Sequence, residues 1–292
     1  MGMSSSKKKK ENEKKLEKET KEKKENIANK NVKDNVKKIK NILSDKTPNR
    51  SNDFDVLFIV DATGSMASYI QAAKEETQNI SEDLRQTYPE MNFKYGYIFY
   101  RDPIDSKGDV HETIDLTDNV NSLPNQISKI SAYGGGDEPE DWVGAYKIAN
   151  EKISWRNGVR IIIHLADDGA HGNLFTSYDK YPEEEKKLIN ELEKCIEKKI
   201  DIFGYVIAEN SRKSFEECSK IYRIKGGSYE ILNFFQNQMI NNFVDRTKRS
   251  DGEEKYSKTT KEDFQSEVNR NFRMNAVRNV ADRMRRREEE FK

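Results

Sequence analysis

The chain has 292 residues, of which 36% are charged and 34% hydrophobic, and its mean hydropathy of -1.00 is too polar for one core running the whole length. No stretch supplies the roughly 18 consecutive apolar residues of a membrane-spanning helix. The net charge of zero hides a segregation that argues against nucleic-acid binding by the main face and suits a cation: residues 1–50 hold 17 Lys/Arg against 8 Asp/Glu, residues 51–245 hold 21 against 34, and residues 246–292 hold 14 against 10.

Residues 1–50 form a basic, Lys/Glu-rich tail with few large apolar residues before Val32, and are expected to be largely disordered. Within it Val32, Val36, Ile39 and Leu43 recur at helical spacing and predict a short amphipathic helix over 32–43. The first residues read Met-Gly-x-x-x-Ser, with Gly2 in the acylated position and Lys7–Lys10 as a polybasic second signal. That pattern implies peripheral membrane contact as an alternative to a purely cytosolic protein. There is no apolar leader, so no secretory signal is expected. Two cysteines, Cys195 and Cys218, make no disulfide framework, and this fits the cytosol.

A body over 51–245 begins with the nearly continuous apolar run Phe54–Val60, which ends at Asp61 and suits a central parallel strand buried on both sides. A helix is predicted over 66–87. A strand over Phe93–Tyr100 and a more polar edge strand over His111–Leu116 follow. Val120, Leu123, Ile127 and Ile130 predict a short helix, although Pro124 complicates its start. After the Gly134–Gly136 loop come a helix over Glu140–Ile153 and a buried strand over Val159–Leu165 that closes at Asp167 and Asp168. Then follow a helix over Glu183–Lys198, a strand over Ile200–Ile207, a helix over Phe215–Ile221, a short strand over Tyr229–Leu232 and a helix over Phe234–Val244. Residues 246–292 read as a charged linker and an amphipathic helix carrying Phe264, Val268, Phe272, Val277, Val280 and Met284, for self-association, docking on the body or partner binding. Strands alternate with helices throughout. This predicts an α/β fold, a Rossmann-like three-layer α/β/α sandwich with a mostly parallel central sheet and one short edge strand. Sites in such sheets lie beyond the carboxyl ends of the strands.

The chemistry-bearing turn is Asp61-Ala62-Thr63-Gly64-Ser65-Met66. A carboxylate closes a buried strand, and two hydroxyls follow with a glycine between them. These are hard oxygen donors of the kind magnesium takes, with calcium or manganese as alternatives. No cysteine or histidine lies in the turn, so zinc fits poorly. Ser65 has a competing reading as the cap of the next helix. The acidic stretch Asp137–Asp141 would repel a phosphate, and no nucleotide fingerprint appears.

Phe54–Met66 resembles the first motif of the von Willebrand factor A domain in its Asp-x-Thr-Gly-Ser-Met form. Tyr97–Asp102, Gly134–Glu140 and Ile162–Gly172 resemble three further motifs of the subgroup found in alpha-kinases that carry such a domain, so the resemblance covers roughly residues 53–245. It implies the fold above and a metal-ion-dependent adhesion site in which Asp61, Thr63 and Ser65 hold a divalent cation, usually magnesium. Asp167 then matches the third-loop metal aspartate, with Asp168 as the register alternative. Adhesive members place a threonine in the second loop, where this chain offers Asp137 and Glu140. Either carboxylate reaches the metal directly or through water, with Asp137 slightly preferred. The extra negative charge puts ligand-gated adhesion in doubt.

The neighbouring residues have plainer readings. Arg101 and Asp102 are expected to pair with one another at the rim. His171 is a loop residue held by hydrogen bonds, or else a ligand or acid/base group. His164, Trp142 and Trp155 pack, and both thiols are inert. The function implied is a non-enzymatic, cation-dependent module that binds a protein partner, with water or the partner's acidic side chain completing the metal shell. One alternative is metal-dependent phosphoryl transfer, but the resembled kinases use a separate catalytic domain and the 47 residues after 245 are too few for one. The other is a tail-driven scaffold at a membrane surface. The oligomeric state stays open.

Overall fold

The computed structural model describes residues 51–103, 110–136, 139–177, 179, 181–234 and 261–290. The amphipathic segment at 32–43, Gly2, Lys7–Lys10, Asp137 and residues 235–244 of the expected helix lie outside them. The chain divides at Arg50–Ser51 into two units, and all described residues belong to the second.

Strand β1 (Asp53–Asp61) is buried along eight consecutive positions. Only a strand covered on both faces and paired on both edges accepts such a run. It pairs in parallel with β2 (Asn92–Tyr100) on one side and with β4 (Val159–Ala166) on the other. Beyond β2 lies β3 (His111–Thr117), the antiparallel edge strand. Beyond β4 come β5 (Ile200–Val206) and β6 (Tyr229–Asn233), both parallel. The six-stranded order is therefore β3-β2-β1-β4-β5-β6, and the chain reverses its direction of growth between β1 and β4.

Period-two alternation assigns the layers. Leu57 and Ile59 of β1 face a core cluster with Trp142, Leu188, Leu192, Phe215 and Tyr222. These come from α3 (Trp142–Glu151), α4 (Glu184–Glu197) and α5 (Glu209–Ile224). Phe58 points to the other face, stacked on Tyr97 at 4.8 Å and on Phe272 at 5.3 Å. That face carries α1 (Ala67–Thr87), the short α2 (Leu123–Ile127) and the long C-terminal α6 (Lys261–Glu289). Each large side chain fully buried in these layers contributes about 1.5–3 kcal/mol.

Two charged anchors sit at the end of the sheet away from the turn. Asp55 is only 1% exposed within β1, and Arg156 satisfies it with its backbone amide and its Nε, both at 2.7 Å. The same guanidinium donates to Asp53 at 2.7 Å. On α6, Arg273 grips Asp83 of α1 through two bonds of 2.6 and 2.7 Å, and Arg286 pairs with Glu230 of β6 at 2.8 Å. Residues 261–289 thus form part of this body.

Several boundaries differ from the sequence expectation. Helix α5 starts at Glu209, six residues before the predicted Phe215. Its first turns are built on buried serines, Ser211 donating to the Ala166 carbonyl at 2.9 Å and Ser214 accepting from the Ala170 amide at 2.9 Å. Helix α3 starts at Trp142, because Asp141 caps it through the Gly144 amide at 2.6 Å. The 120–130 segment splits into a 3-10 turn (Val120–Ser122) and α2, with the proline at the helix start. On α6, Ala276 fills the buried stripe where Val277 was expected, and Asn271, Asn275 and Asn279 share it. Among the described residues no helix is long and apolar enough to cross a membrane.

Candidate functional site

The switch in strand order leaves a crevice beyond the carboxyl ends of β1 and β4. Asp61 is the last residue of β1 and is 0% exposed. Its Oδ1 accepts from the Thr63 amide at 2.9 Å and from the Thr63 hydroxyl at 2.8 Å. Its Oδ2 is buried and has no partner. A 3-10 turn over Gly64–Met66 then brings Ser65 Oγ to 3.4 Å from Thr63 Oγ1. Ser65 does not cap α1; the residue in the cap position is Met66, and no side chain bonds there. Ser65 itself is exposed, beside Thr63.

The second loop is fastened from two sides. Gly134 and Gly135 take φ of 90° and 94°, a left-handed backbone that other residues adopt at a cost. This lets the Gly134 carbonyl meet the Gly64 amide at 3.4 Å. Arg101, fully buried, donates to the Ser131 carbonyl at 2.5 Å and lies 4.1 Å above the Tyr133 ring. Further along, the Glu140 amide donates to the Gly169 carbonyl at 2.8 Å, and Glu140 forms an isolated parallel bridge with Ala170. That bridge ties Glu140 to the loop after β4. Glu140 is 0% exposed, and neither carboxylate oxygen has a hydrogen bond of normal geometry.

In the third loop the two aspartates meet different neighbours. Asp167 is half-buried, its Oδ1 is buried without a partner, and it acts directly on Asp61. Asp168 accepts from Asn210 of α5 at 3.0 Å. Asp61, Thr63, Ser65, Glu140 and Asp167 therefore surround the crevice, while Asp168 faces α5.

Electrostatics report a surplus of negative charge. Burial, then the charge of Asp167, raises the Asp61 pKa well above the carboxylate range, although the Thr63 amide and hydroxyl work against this. Burial, then the charges of Asp61, Asp102 and Asp168, pushes Glu140 up to about 10, offset in part by the Asp102 amide. Among the described residues no Lys, Arg or His pairs with Asp61, Glu140 or Asp167. Among them, too, no group of three or more His, Cys, Asp or Glu side chains is disposed to hold an ion. The hydroxyls of Thr63 and Ser65 lie beside these carboxylates, and the lining is all oxygen, the donor type a hard divalent cation takes.

The neighbours differ from expectation in one respect. Arg101 and Asp102 do not pair with one another: Arg101 binds Glu112 of β3, and Asp102 accepts from His171 Nε2 at 3.0 Å. The other imidazole nitrogen, Nδ1, donates to Asp179 at 2.9 Å. Asp179 also takes the Gly172 amide at 2.7 Å and the Tyr181 amide at 3.1 Å. Burial lowers the His171 pKa, but bonds to the two carboxylates outweigh it and raise it to about 9. His171 is thus a charged rivet between the β2 and β4 loops. The sequence reading missed Asp179, which lies in a polar loop with no periodic signal. His164 packs as expected: burial drives its pKa down to about 3, and it bonds Tyr100 and Tyr146 at 2.9 and 3.1 Å. Trp142 is fully buried, and Trp155 is part-buried, bonded to the Ala149 carbonyl at 2.8 Å. Burial raises both thiols, Cys195 to about 12.

A parallel sheet in this order, with an acidic, hydroxyl-rich crevice at its switch point, defines the class, and the chain belongs to the von Willebrand factor A domain family, which residues 55–214 match. Domains of this family commonly mediate protein–protein interaction. The chain is 34% identical over 142 residues to the alpha-protein kinase vwkA of Dictyostelium discoideum, covering 48% of this chain and 22% of that one. It is 37% identical over 92 residues to von Willebrand factor A domain-containing protein 7 of Rattus norvegicus and 36% to the protein of that name in Homo sapiens, in each case covering 32% of this chain and 10% of the relative. The chain thus spans about a fifth or less of these relatives' lengths. Among solved structures, the pilus adhesin SpaC of Lactobacillus rhamnosus GG in its open conformation is similar at a TM-score of 0.45 and 11% identity, covering 78% of this chain and 31% of that one. A likeness at that level adds nothing to the family assignment.

Proposed function

We propose that this chain is a non-enzymatic protein-binding module whose recognition face is organised by one divalent cation, magnesium in the first instance. The observation that carries the reading is a set of under-satisfied buried carboxylates: Asp61 Oδ2 and Asp167 Oδ1 receive no donor, and the sealed Glu140 carboxylate is offset only in part by the Asp102 amide. Leaving several buried carboxylate oxygens unsatisfied costs free energy, and a cation is the group that would recover it. Asp61, Thr63, Ser65 and Asp167 would hold the ion. Glu140 would lie beside it, and Asp137 is the further second-loop candidate. The ion would supply charge neutralisation and an open coordination position.

The chain's own residues do the rest. Thr63 fixes the Asp61 carboxylate through two hydrogen bonds. Arg101 and the two positive-φ glycines hold the second loop against the first turn. His171 joins the outer loops. Nothing in this constellation arranges a nucleophile beside a general base: His171 is occupied by two carboxylates, His164 is sealed in the core, and both cysteines are buried. A binding role therefore accounts for more of the site than phosphoryl transfer does.

Isothermal titration of magnesium into wild type and Asp61→Ala tests the reading. Saturable binding lost in the variant supports it, and equal heats in both proteins remove this site from consideration.

A further inference from the structure

Strand β2 supplies none of the five side chains around the crevice, yet the two residues that follow it reach both of the loops that meet the Asp61 turn. The Asp102 amide bonds the Glu140 carboxylate, and the Asp102 carboxylate accepts from His171 at 3.0 Å. Arg101 turns to the start of the second loop. Its guanidinium donates to the Ser131 carbonyl at 2.5 Å, pairs with Glu112 of β3 and lies 4.1 Å above the Tyr133 ring. Its own amide is tied to the Val110 carbonyl at 3.0 Å. Directly after this grip the second loop is laced to the first turn by two backbone bonds, the Tyr133 amide to the Ala62 carbonyl at 3.2 Å and the Gly64 amide to the Gly134 carbonyl at 3.4 Å. A fully buried guanidinium is costly unless its charge is paired and its N–H groups are bonded. Its flat fork serves a carboxylate, a carbonyl and an aromatic face at once, whereas a lysine ammonium acts as a point charge.

Resting on the cation-site reading above, we propose that Arg101 is the positioning residue of the second loop: by gripping Ser131 and Tyr133 it sets that loop against the Asp61 turn, and it thereby fixes the affinity of the site for its cation without touching the ion. The loop is then held at both ends, by Arg101 at its start and by the bridge between Glu140 and Ala170 at its close. Donors carried on loops depend on outer contacts of this kind, because a shift of about 1 Å already loosens a site. Shape matters as much as charge. A lysine at this position keeps the positive charge and can still pair with Glu112, but it has neither the fork for Ser131 nor the flat face for Tyr133. The edge strand β3 thus takes part in the site through Glu112, although it lies two strands away from β4.

Amide hydrogen exchange in EDTA and manganese titration, both on the full chain, test this with Arg101→Lys and Tyr133→Leu. Arg101→Lys should speed exchange at the Tyr133 and Gly64 amides while the amides of β1 and β4 stay protected, and that protection also shows that the variant is folded. It should lose about tenfold in manganese affinity, the usual effect of removing an outer-shell partner. Tyr133→Leu leaves the buried ion pair in place and should move both readouts in the same direction by less. With manganese binding abolished by Asp61→Asn, the inference alone is overturned, and the cation-site reading survives, if Arg101→Lys binds manganese within about twofold of wild type. The same holds if its Tyr133 and Gly64 amides exchange as in wild type, if faster exchange spreads evenly over the sheet, or if Tyr133→Leu moves neither readout. Wild type that binds no manganese, or binds it undiminished in Asp61→Asn, overturns both.

Discussion

Asp61 Oδ2 and Asp167 Oδ1 are buried at the carboxyl ends of two adjacent parallel strands, and no other group hydrogen-bonds to either oxygen. Two carboxylates so placed repel one another, and the charge of Asp167 adds to burial in raising the cost of ionising Asp61. The pair makes sense as half of an arrangement whose other half is positive.

The first prediction follows from that geometry. Magnesium should raise the melting temperature of wild type, because a ligand at a hundred times its dissociation constant stabilises by about 2.7 kcal/mol. Asp61→Asn should erase the magnesium effect. In EDTA the same variant should be more stable than wild type: its amide oxygen still accepts from Thr63, and its NH2 group gains Asp167 as an acceptor. Differential scanning calorimetry with and without magnesium checks both signs.

His171 carries a pH dependence of definite sign. Its folded pKa is raised to about 9 from the usual 6.5. The stabilisation is therefore complete below about pH 6.5 and is lost as pH rises through about 9. Hydrogen bonds to charged groups contribute roughly 2 kcal/mol. Glu140, also raised, acts in the same direction across this window without metal, so the informative comparison is between proteins. Urea denaturation should show His171→Gln well below wild type at pH 6 and close to it at pH 10 (both values chosen about the pKa limits above). A constant gap across that range would mean that the imidazolium pairs do not hold the loops.

Arg156 offers a test at the opposite end of the sheet. Replacing it with methionine leaves Asp55 buried and without its cation, and breaking a buried pair in this way costs about 3–5 kcal/mol. Chemical denaturation should find a loss of that size. A loss below about 1 kcal/mol, the level of an exposed pair, would show that Asp55 is reached by water.

The contact between Phe272 and Phe58 makes α6 a structural part of the body. Phe272→Ala should cost about 3–5 kcal/mol, the range for a buried phenylalanine. The loss should appear in one cooperative transition with the rest of the domain. A separate early transition of α6, seen by hydrogen exchange at its amides with the sheet still protected, would contradict this.

Much of the fold was legible because hydrophobic pattern and layer are directly linked. A nearly continuous apolar run such as Phe54–Val60, broken only by Asp55, has only one home in an α/β sheet, and the polar His111–Thr117 segment has only an edge. What escaped was held by polar contacts. The first turns of α5 rest on Ser211 and Ser214, and one stripe of α6 on asparagines, so apolar periodicity understated both. The turn Asp61–Ser65 was readable because its donors are close in sequence.

The sequence by itself determined the order of strands and helices, the acidic character of the body and the Asp-x-Thr-Gly-Ser turn, since each depends on residues near one another in the chain. Only the tertiary structure decided that Asp167 rather than Asp168 faces Asp61, that Glu140 is sealed beside them, and that His171 is clasped by Asp102 and Asp179. These depend on where the ends of β1, β2 and β4 meet, on the twist and register of the sheet and on a single bridge between Glu140 and Ala170. Local sequence specifies which groups are available; their burial and their partners are set by segments up to about a hundred residues away that packing brings to one edge.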